Sequence, residues 1–503
     1  MSRTLHARTM SALRWTMINT VGERVLSFGT TMVLTRMLDP AHFGLYALAF
    51  VVIDSFQIVK NLGLDAALIQ RQDRVEEAAD TALMVLPVIG MAFFGLLYAV
   101  APTVAVWLGN PEVGRPLQVL GLVLILMSVG NVPLALVQKA MRFDIRTIAN
   151  LSGMTAYAVL AVTLAKRGFG VWSLVMAYLI RWLVSIPIQW MLLGWTPRWR
   201  FDGRLLREML QFSKYVVGAW IVGLLAMNVD KLSVGRWLGA TQLGYYTLCL
   251  GLANIVMSQL SVQVYQVAFP AFSEARGSQE RLQRGFLKLT TYLLLFSLPV
   301  AVLFVSVPRE FLEVVYGPKW VVAAPLLRVL ALGGVLQTVR AGVESMLMGS
   351  GRSRMVFGLN LLQLVLLAVG AGSQAMAQRP TGVAWSVVAA SAVPLAINLA
   401  IVMREIGMSP SVVLRRLHPV LASAALMAAS LLAGAWLRPA LGPWAQVSWR
   451  WLLCVAPLSV SLYGLGILSF DRPLVADLLK LVRWPVPAVV KGKPGPAPVK
   501  SLS

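Results

Sequence analysis

Apolar runs of roughly 20 residues follow one another along almost the whole chain, joined by connections too short to hold a polar domain. Each run is long enough to cross a hydrocarbon core of about 30 Å as a helix. In lipid every backbone N–H and C=O must be paired, which leaves helices or a closed barrel, and runs this long and uniformly apolar are not barrel strands. The chain is therefore expected to be an all-α polytopic membrane protein with about 14 transmembrane helices. Composition agrees: 58% of the 503 residues are hydrophobic and 13% are charged, about half the charge of an ordinary soluble domain.

The net charge of +23 would point to nucleic acid in a soluble protein. Here the N-terminus, every second connection and the C-terminal tail carry far more Lys and Arg than the other connections, so the charge sets orientation. Both termini are expected in the cytoplasm, which agrees with an even number of spans, and no nucleic-acid partner is expected. Arg3, Arg8 and Arg14 precede a first spanning helix rather than a removed signal peptide. Residues 471–503 are expected to form a basic cytoplasmic tail, partly disordered and attracted to anionic lipid. Cys249 and Cys454 fall inside apolar segments and form neither a disulfide framework nor a metal site.

One motif occurs twice. Arg36, Leu38, Gly44 and Tyr46 recur as Arg236, Leu238, Gly244 and Tyr246, with Phe43 matched by Leu243. The first copy joins spans expected at 14–36 and 42–68, the second joins spans at 213–236 and 242–266. Six spans separate the copies, so the repeats are parallel and related by an axis along the membrane normal. The layout implies an N-terminal six-helix lobe (1–200), a C-terminal six-helix lobe (201–410) and two accessory helices (411–470). Each copy reads as a structural corner. Asp39 and Pro40 would cap and start the second span, with Thr241 the cap in the copy. Gly44 and Gly244 would permit close helix contact, and Tyr46 and Tyr246 would sit near the membrane interface.

The chemistry-bearing residues are polar ones inside the spans. Asn19, Glu23, Ser27 and Thr30 share a face of the first span with Arg24 beside them, and Asp54, Gln57 and Asn61 repeat the pattern in the second with Lys60 adjacent. Asn228, Asp230 and Lys231 interrupt the seventh span, Asn254 and Ser258 share a face of the eighth, and Gln337, Arg340 and Glu344 follow helical spacing in the tenth. A charge at the bilayer centre costs about 2.5–3.5 kcal/mol, so these groups should face one another or a water-filled interior. One reading is helix–helix ion pairing, Glu23–Arg24, Asp230–Lys231 and Arg340–Glu344. The other is a central cavity between the lobes, whose bases, amides and hydroxyls suit an anion carrying sugars, with Arg and Lys on a phosphate or diphosphate. No nucleotide loop, nucleophile–base pair or metal spacing is visible, so neither an enzyme nor a resident cofactor is expected.

The segments Arg36-x-Leu38-Asp39-Pro40-x-x-Phe43-Gly44-x-Tyr46, Gly63–Gln70, Asn228-Val229-Asp230-Lys231, Leu243-Gly244-Tyr245-Tyr246, Phe269-Pro270, Val315–Trp320 and Pro325-Leu326-Leu327-Arg328 resemble the bacterial polysaccharide (O-antigen type) flippases of the multidrug/oligosaccharidyl-lipid/polysaccharide exporter superfamily. The resemblance covers most of residues 10–410. It implies two six-helix bundles around a cavity, and movement of an undecaprenyl-diphosphate-linked oligosaccharide to the periplasmic leaflet by alternating access, for O-antigen, capsule or exopolysaccharide assembly. A polysaccharide polymerase and chain-length machinery would then be partners, beside membrane lipids. On this reading Arg24, Lys60, Lys231 and Arg340 are candidates for the diphosphate. Asn19, Gln57, Asn228, Asn254, Ser258 and Gln337 are candidates for the glycan. Glu23, Asp54, Asp230 and Glu344 would hold the bases or respond to a coupling H⁺ or Na⁺ gradient. The rival readings are a drug/cation antiporter of the same superfamily, disfavoured by the basic-leaning interior, and a membrane-embedded polymerase or glycosyltransferase, disfavoured by the short outward connections.

Overall fold

The computed structural model describes residues 2–60, 64–71, 73–275, 277–440 and 447–470, with side chains at all of these except 2–10, 13, 58–60, 65, 66, 210–227, 256–267, 269 and 270. The described chain is helical, with no strand. In order the helices are α1 (Ser2–Met37), α2 (Pro40–Lys60), α3 (Leu64–Gln70), α4 (Val75–Trp107), α5 (Gly114–Leu120), α6 (Leu122–Lys139), α7 (Phe143–Lys166) and α8 (Val171–Leu193). They continue with α9 (Gly203–Glu274), α10 (Gln279–Ser306), α11 (Pro308–Val315), α12 (Ala324–Gly349), α13 (Ser353–Met376), α14 (Pro380–Glu405), α15 (Pro410–Leu437) and α16 (Ser448–Phe470).

Among the described residues, ten segments are long and apolar enough to cross a membrane: α4, α5–α6, α7, α8, α10, α12, α13, α14, α15 and α16. The long helices outside that set are α1, α2 and α9. They carry most of the polar faces picked out in the sequence, the exception being Gln337, Arg340 and Glu344 on α12, and they surround the cavity described below. Helix α9 is two arms, broken at Gly239 (φ 83°, ψ 173°), a conformation that a side chain would strain. Its arms stand where the seventh and eighth spans were expected. The expected 42–68 span is described as α2 up to Lys60 and α3 from Leu64, and the 116–138 span is interrupted at Gly121 between α5 and α6.

In the N-terminal lobe α1 packs on α7, α7 on α8, and α6 on both α4 and α8. In the C-terminal lobe α12 packs on α9, α10 and α14, and α13 on α14. One apolar core runs through both lobes, joining Leu48, Leu97 and Leu117 to Leu243, Trp320 and Leu327. The lobes are thus welded at one end by burial, the dominant favourable term in packing. The accessory pair α15–α16 rests on α10, where the Tyr463 hydroxyl donates to Leu295 O at 2.9 Å, and the pair is itself joined by Trp451 Nε1 donating to Gly434 O at 3.1 Å. The first turns of α9 belong by packing to the N-terminal lobe: Leu205 and Met209 are buried with Leu64, Leu68 and Ala82.

Candidate central cavity and its seal

A cavity of about 1040 Å³ lies between the lobes. Its walls are α1 from Thr20 to Thr31, α2 from Phe43 to Asp54, the first arm of α9 at Asn228 and Lys231, and the second arm from Gly244 to Ile255. These four segments are the two copies of the repeated motif with the helices they join, so the duplication builds the cavity. Arg24 comes from one lobe and Lys231 from the other. Among the described residues Asp54 is the one acidic residue lining it, and Thr20, Ser27, Thr31, Asn228 and Thr247 supply polar groups. Phe28, Phe50, Tyr46, Tyr157 and Tyr316 add aromatic surface.

The predicted ion pairs fall out differently. Glu23 does not pair with Arg24: its carboxylate accepts from Arg181 Nη2 at 2.9 Å and from Asn150 Nδ2 at 3.2 Å, and Asn150 also donates to Asn19 Oδ1 at 2.9 Å. Adjacent helix residues project about 100° apart, so Glu23 turns toward α7 and α8 while Arg24 turns into the cavity. Asp230 and Lys231 separate for the same reason. Asp230 is buried and accepts from the Tyr246 hydroxyl at 2.6 Å, whereas Lys231 Nζ donates to Asn228 Oδ1 at 2.9 Å on the cavity wall. Arg340 does pair with Glu344, at 2.5 Å, and donates to Asn360 Oδ1 at 2.7 Å. The ion pair lies within α12, the bond to Asn360 ties α12 to α13, and neither Arg340 nor Glu344 is among the cavity-lining residues.

Of the remaining candidates, Asn19 is held in the Glu23–Asn150 network, and Gln57, Asn254 and Gln337 are half-buried without lining the cavity. The side chains of Lys60 and Ser258 lie outside the described residues, as does the tail 471–503. Tyr246 is 1% exposed and bridges the two arms of α9.

The repeated corner is a seal. A Cβ on Gly44 would overlap the Ala240 carbonyl, and a Cβ on Gly244 would overlap the Pro40 carbonyl. Residue 40 meets 244 and residue 240 meets 44, a reciprocity that a twofold relation between parallel repeats requires. A second pair of sites repeats it. Asn110 Nδ2 donates to Gly235 O at 2.8 Å, and Trp320 Nε1 donates to Thr35 O at 2.9 Å. Arg236 stacks over Trp107 at 4.7 Å, and Arg36 Nη2 donates to Val314 O. Asn110 lies within Gly109-Asn110-Pro111 and Trp107 just before it, while Val314 and Trp320 flank the matching Gly317-Pro318-Lys319, each stretch just ahead of an apolar helix. That match is legible in the sequence and would have located the seal.

The Asp39 carboxylate, expected to cap α2, instead accepts from Lys319 Nζ at 2.6 Å across the lobes. That hydrogen bond holds the Asp39 carboxyl below its ordinary range. Its contribution is therefore present above an ordinary aspartate value of about 3.9 and is lost as pH falls through the lowered one. Both groups are about half exposed, so the pair contributes at most about 1 kcal/mol. We expect Asp39→Lys to speed alkylation of a cysteine placed at Thr31 by an impermeant maleimide at the corner side, and Lys319→Asp added to it to slow alkylation again.

Two parallel-related helical lobes around a cavity, closed at one end by reciprocal backbone contacts, define a two-lobed membrane transporter fold. Residues 33–325 match the family described as polysaccharide biosynthesis protein, and the chain belongs to that family. Among curated relatives, the teichuronic acid biosynthesis protein TuaB of Bacillus subtilis is 27% identical over 355 residues, covering 69% of this chain and 72% of its own. The lipopolysaccharide biosynthesis protein WzxC of Escherichia coli is 28% identical over 378 residues, covering 72% and 74%. Among solved structures, the lipid II flippase MurJ in an inward closed conformation superimposes with a TM-score of 0.73 over 92% of this chain and 100% of that one. At 12% identity that likeness is one of fold.

Proposed function

We propose that this protein flips an undecaprenyl-diphosphate-linked oligosaccharide from the cytoplasmic to the periplasmic leaflet of the inner membrane by alternating access, and is not an enzyme. The observation that carries the reading is the placement of Arg24 and Lys231 on opposite lobes of one cavity. A diphosphate held between them would be released when the lobes part, because each cation leaves with its own lobe. Guanidinium and ammonium groups bind phosphate oxygens through charge-assisted hydrogen bonds. The hydroxyl, amide and aromatic groups around them suit a glycan, and the polyprenyl tail would stay in lipid.

With both termini in the cytoplasm, the corner end is periplasmic, and its seal makes this the state that receives substrate from the cytoplasmic side. Asp54 faces the cavity opposite Lys231, which makes it our candidate for a coupling H⁺ or Na⁺ gradient. The names of TuaB and WzxC, both for envelope glycan synthesis, support the class of substrate. The test is deletion in the native host with lipid extraction. Loss of surface polysaccharide with accumulation of lipid-linked oligosaccharide on the cytoplasmic side is expected. Intact polysaccharide with altered drug susceptibility would instead establish the antiporter reading. Extension of the glycan by the purified protein would establish an enzyme.

A further inference from the structure

The connection between the lobes has an outer surface that the cavity does not use. Residues 194–202 link α8 to α9 and are pinned to the N-terminal lobe. Arg198 N donates to Asp80 Oδ1 at 3.0 Å and Asp202 N donates to Thr81 Oγ1 at 3.1 Å. The Asp202 carboxylate caps α9 by accepting from Arg204 N and Leu205 N, and also accepts from Arg74 Nη2 at 2.8 Å. Trp195 stacks on Trp190 with ring centroids 5.3 Å apart.

Pinned in this way, the segment presents Trp199 and Phe201, 66% and 58% exposed. Trp199 sits at φ 53°, in the left-handed region, so its outward aim is imposed by its held neighbours rather than by local preference. Arg200, Arg204 and Arg207 are exposed, and none makes an ion pair or side-chain hydrogen bond among the described residues. Arg200, Phe201 and Arg204 line a recess of about 630 Å³ with Arg74, whose own charge is taken up by Glu77 and Asp202.

Unpaired guanidinium groups beside outward aromatic rings, at the foot of a spanning helix, match an anionic lipid surface on both counts. Rings of this kind settle at the headgroup level, and clustered arginines are drawn to anionic lipid. We propose that residues 199–207 form a docking site for the headgroup of an anionic phospholipid of the phosphatidylglycerol class. The headgroup phosphate meets Arg200 and Arg204, and Trp199 and Phe201 enter the acyl boundary beside it. This rests on the chain's spanning a membrane and not on what the cavity carries, so it can fail or stand independently of the proposed transport.

The experiment titrates the purified full-length protein in neutral detergent with dioleoylphosphatidylglycerol, dioleoylphosphatidylcholine or sodium phosphate, and reads the thermal unfolding midpoint. Phosphatidylglycerol is expected to raise the midpoint well beyond the other two. Each arginine near an anionic surface contributes about fivefold in affinity. The Arg200→Gln/Arg204→Gln/Arg207→Gln variant should therefore need roughly a hundredfold more phosphatidylglycerol for the same rise. The corresponding triple lysine variant should keep most of the response, which separates headgroup binding from damage to the fold. Trp199→Ala/Phe201→Ala should shrink the rise while leaving the phosphatidylcholine curve unchanged. The basic tail is present throughout, so differences between variants belong to this segment. Equal phosphatidylglycerol curves for the wild type and the glutamine variant overturn the proposal. So does a wild-type rise that phosphatidylcholine or sodium phosphate reproduces.

Discussion

Gly44→Ala and Gly244→Ala are each expected to stop transport while leaving the protein in the membrane at its normal level. Either methyl group would overlap a backbone carbonyl of the opposite lobe, Ala240 for Gly44 and Pro40 for Gly244. A carbonyl cannot rotate aside as a side chain can, so relief comes only from moving the lobes apart. Overpacking of this kind costs about 1–3 kcal/mol, which shifts a two-state equilibrium about 5- to 150-fold toward the parted state. The lobes themselves are untouched, because the overlap is between them. Alkylation at Thr31→Cys from the corner side should rise sharply in both variants, and thermal stability should hold. Gly153→Ala is the control. Its methyl would meet Arg181 O within the N-terminal lobe, so it should lower stability without raising alkylation. Normal export with unchanged alkylation in both corner variants would show that the lobes do not need this contact to close.

The sequence made the architecture readable because lipid leaves so few choices. Apolar length marked ten of the helices, and the Arg36–Tyr46 repeat marked the two corners that meet across the lobes. The break at Gly239 shows why boundaries were still imprecise: the chain stays helical on both sides of a single residue, so no polar loop marks the corner. The site was legible by helix and not by side chain. Polar spacing singled out α1, α2, the arms of α9 and α12; the first three helices surround the cavity, and α12 does not line it. What spacing could not supply was the partner across the lobe. Glu23 and Arg24 are neighbours in sequence, but Asn150 and Arg181 decide where Glu23 points, and they arrive from α7 and α8. Asp39 looked like a helix cap until Lys319 came within 2.6 Å from the other lobe.

That separation of neighbours predicts two phenotypes among the basic positions Arg24, Lys231 and Arg340. Arg24→Gln and Lys231→Gln should abolish export with normal protein levels, because both side chains line the cavity and neither lies in the Glu23–Arg181 or Asp230–Tyr246 contacts. A hydrogen bond to a charged group contributes about 1.5–3 kcal/mol, so each change should weaken retention of a diphosphate roughly 10- to 100-fold. Arg340→Gln should fail in a different way. Its guanidinium is shared by Glu344 and Asn360, with the charged partners 13% and 16% exposed. Removing it strands the Glu344 carboxylate between helices, at a cost of about 3–5 kcal/mol if the site stays dry, and the protein level should fall. Glu344→Gln added to Arg340→Gln should restore much of the level and with it export, since neither group lines the cavity. No second-site neutralisation should rescue Lys231→Gln. Quantifying membrane protein and surface polysaccharide together in the four strains separates the outcomes. Full export by both Arg24→Gln and Lys231→Gln would remove the cavity from the transport path, whereas lost export at normal level in Arg340→Gln/Glu344→Gln would extend the substrate path to α12.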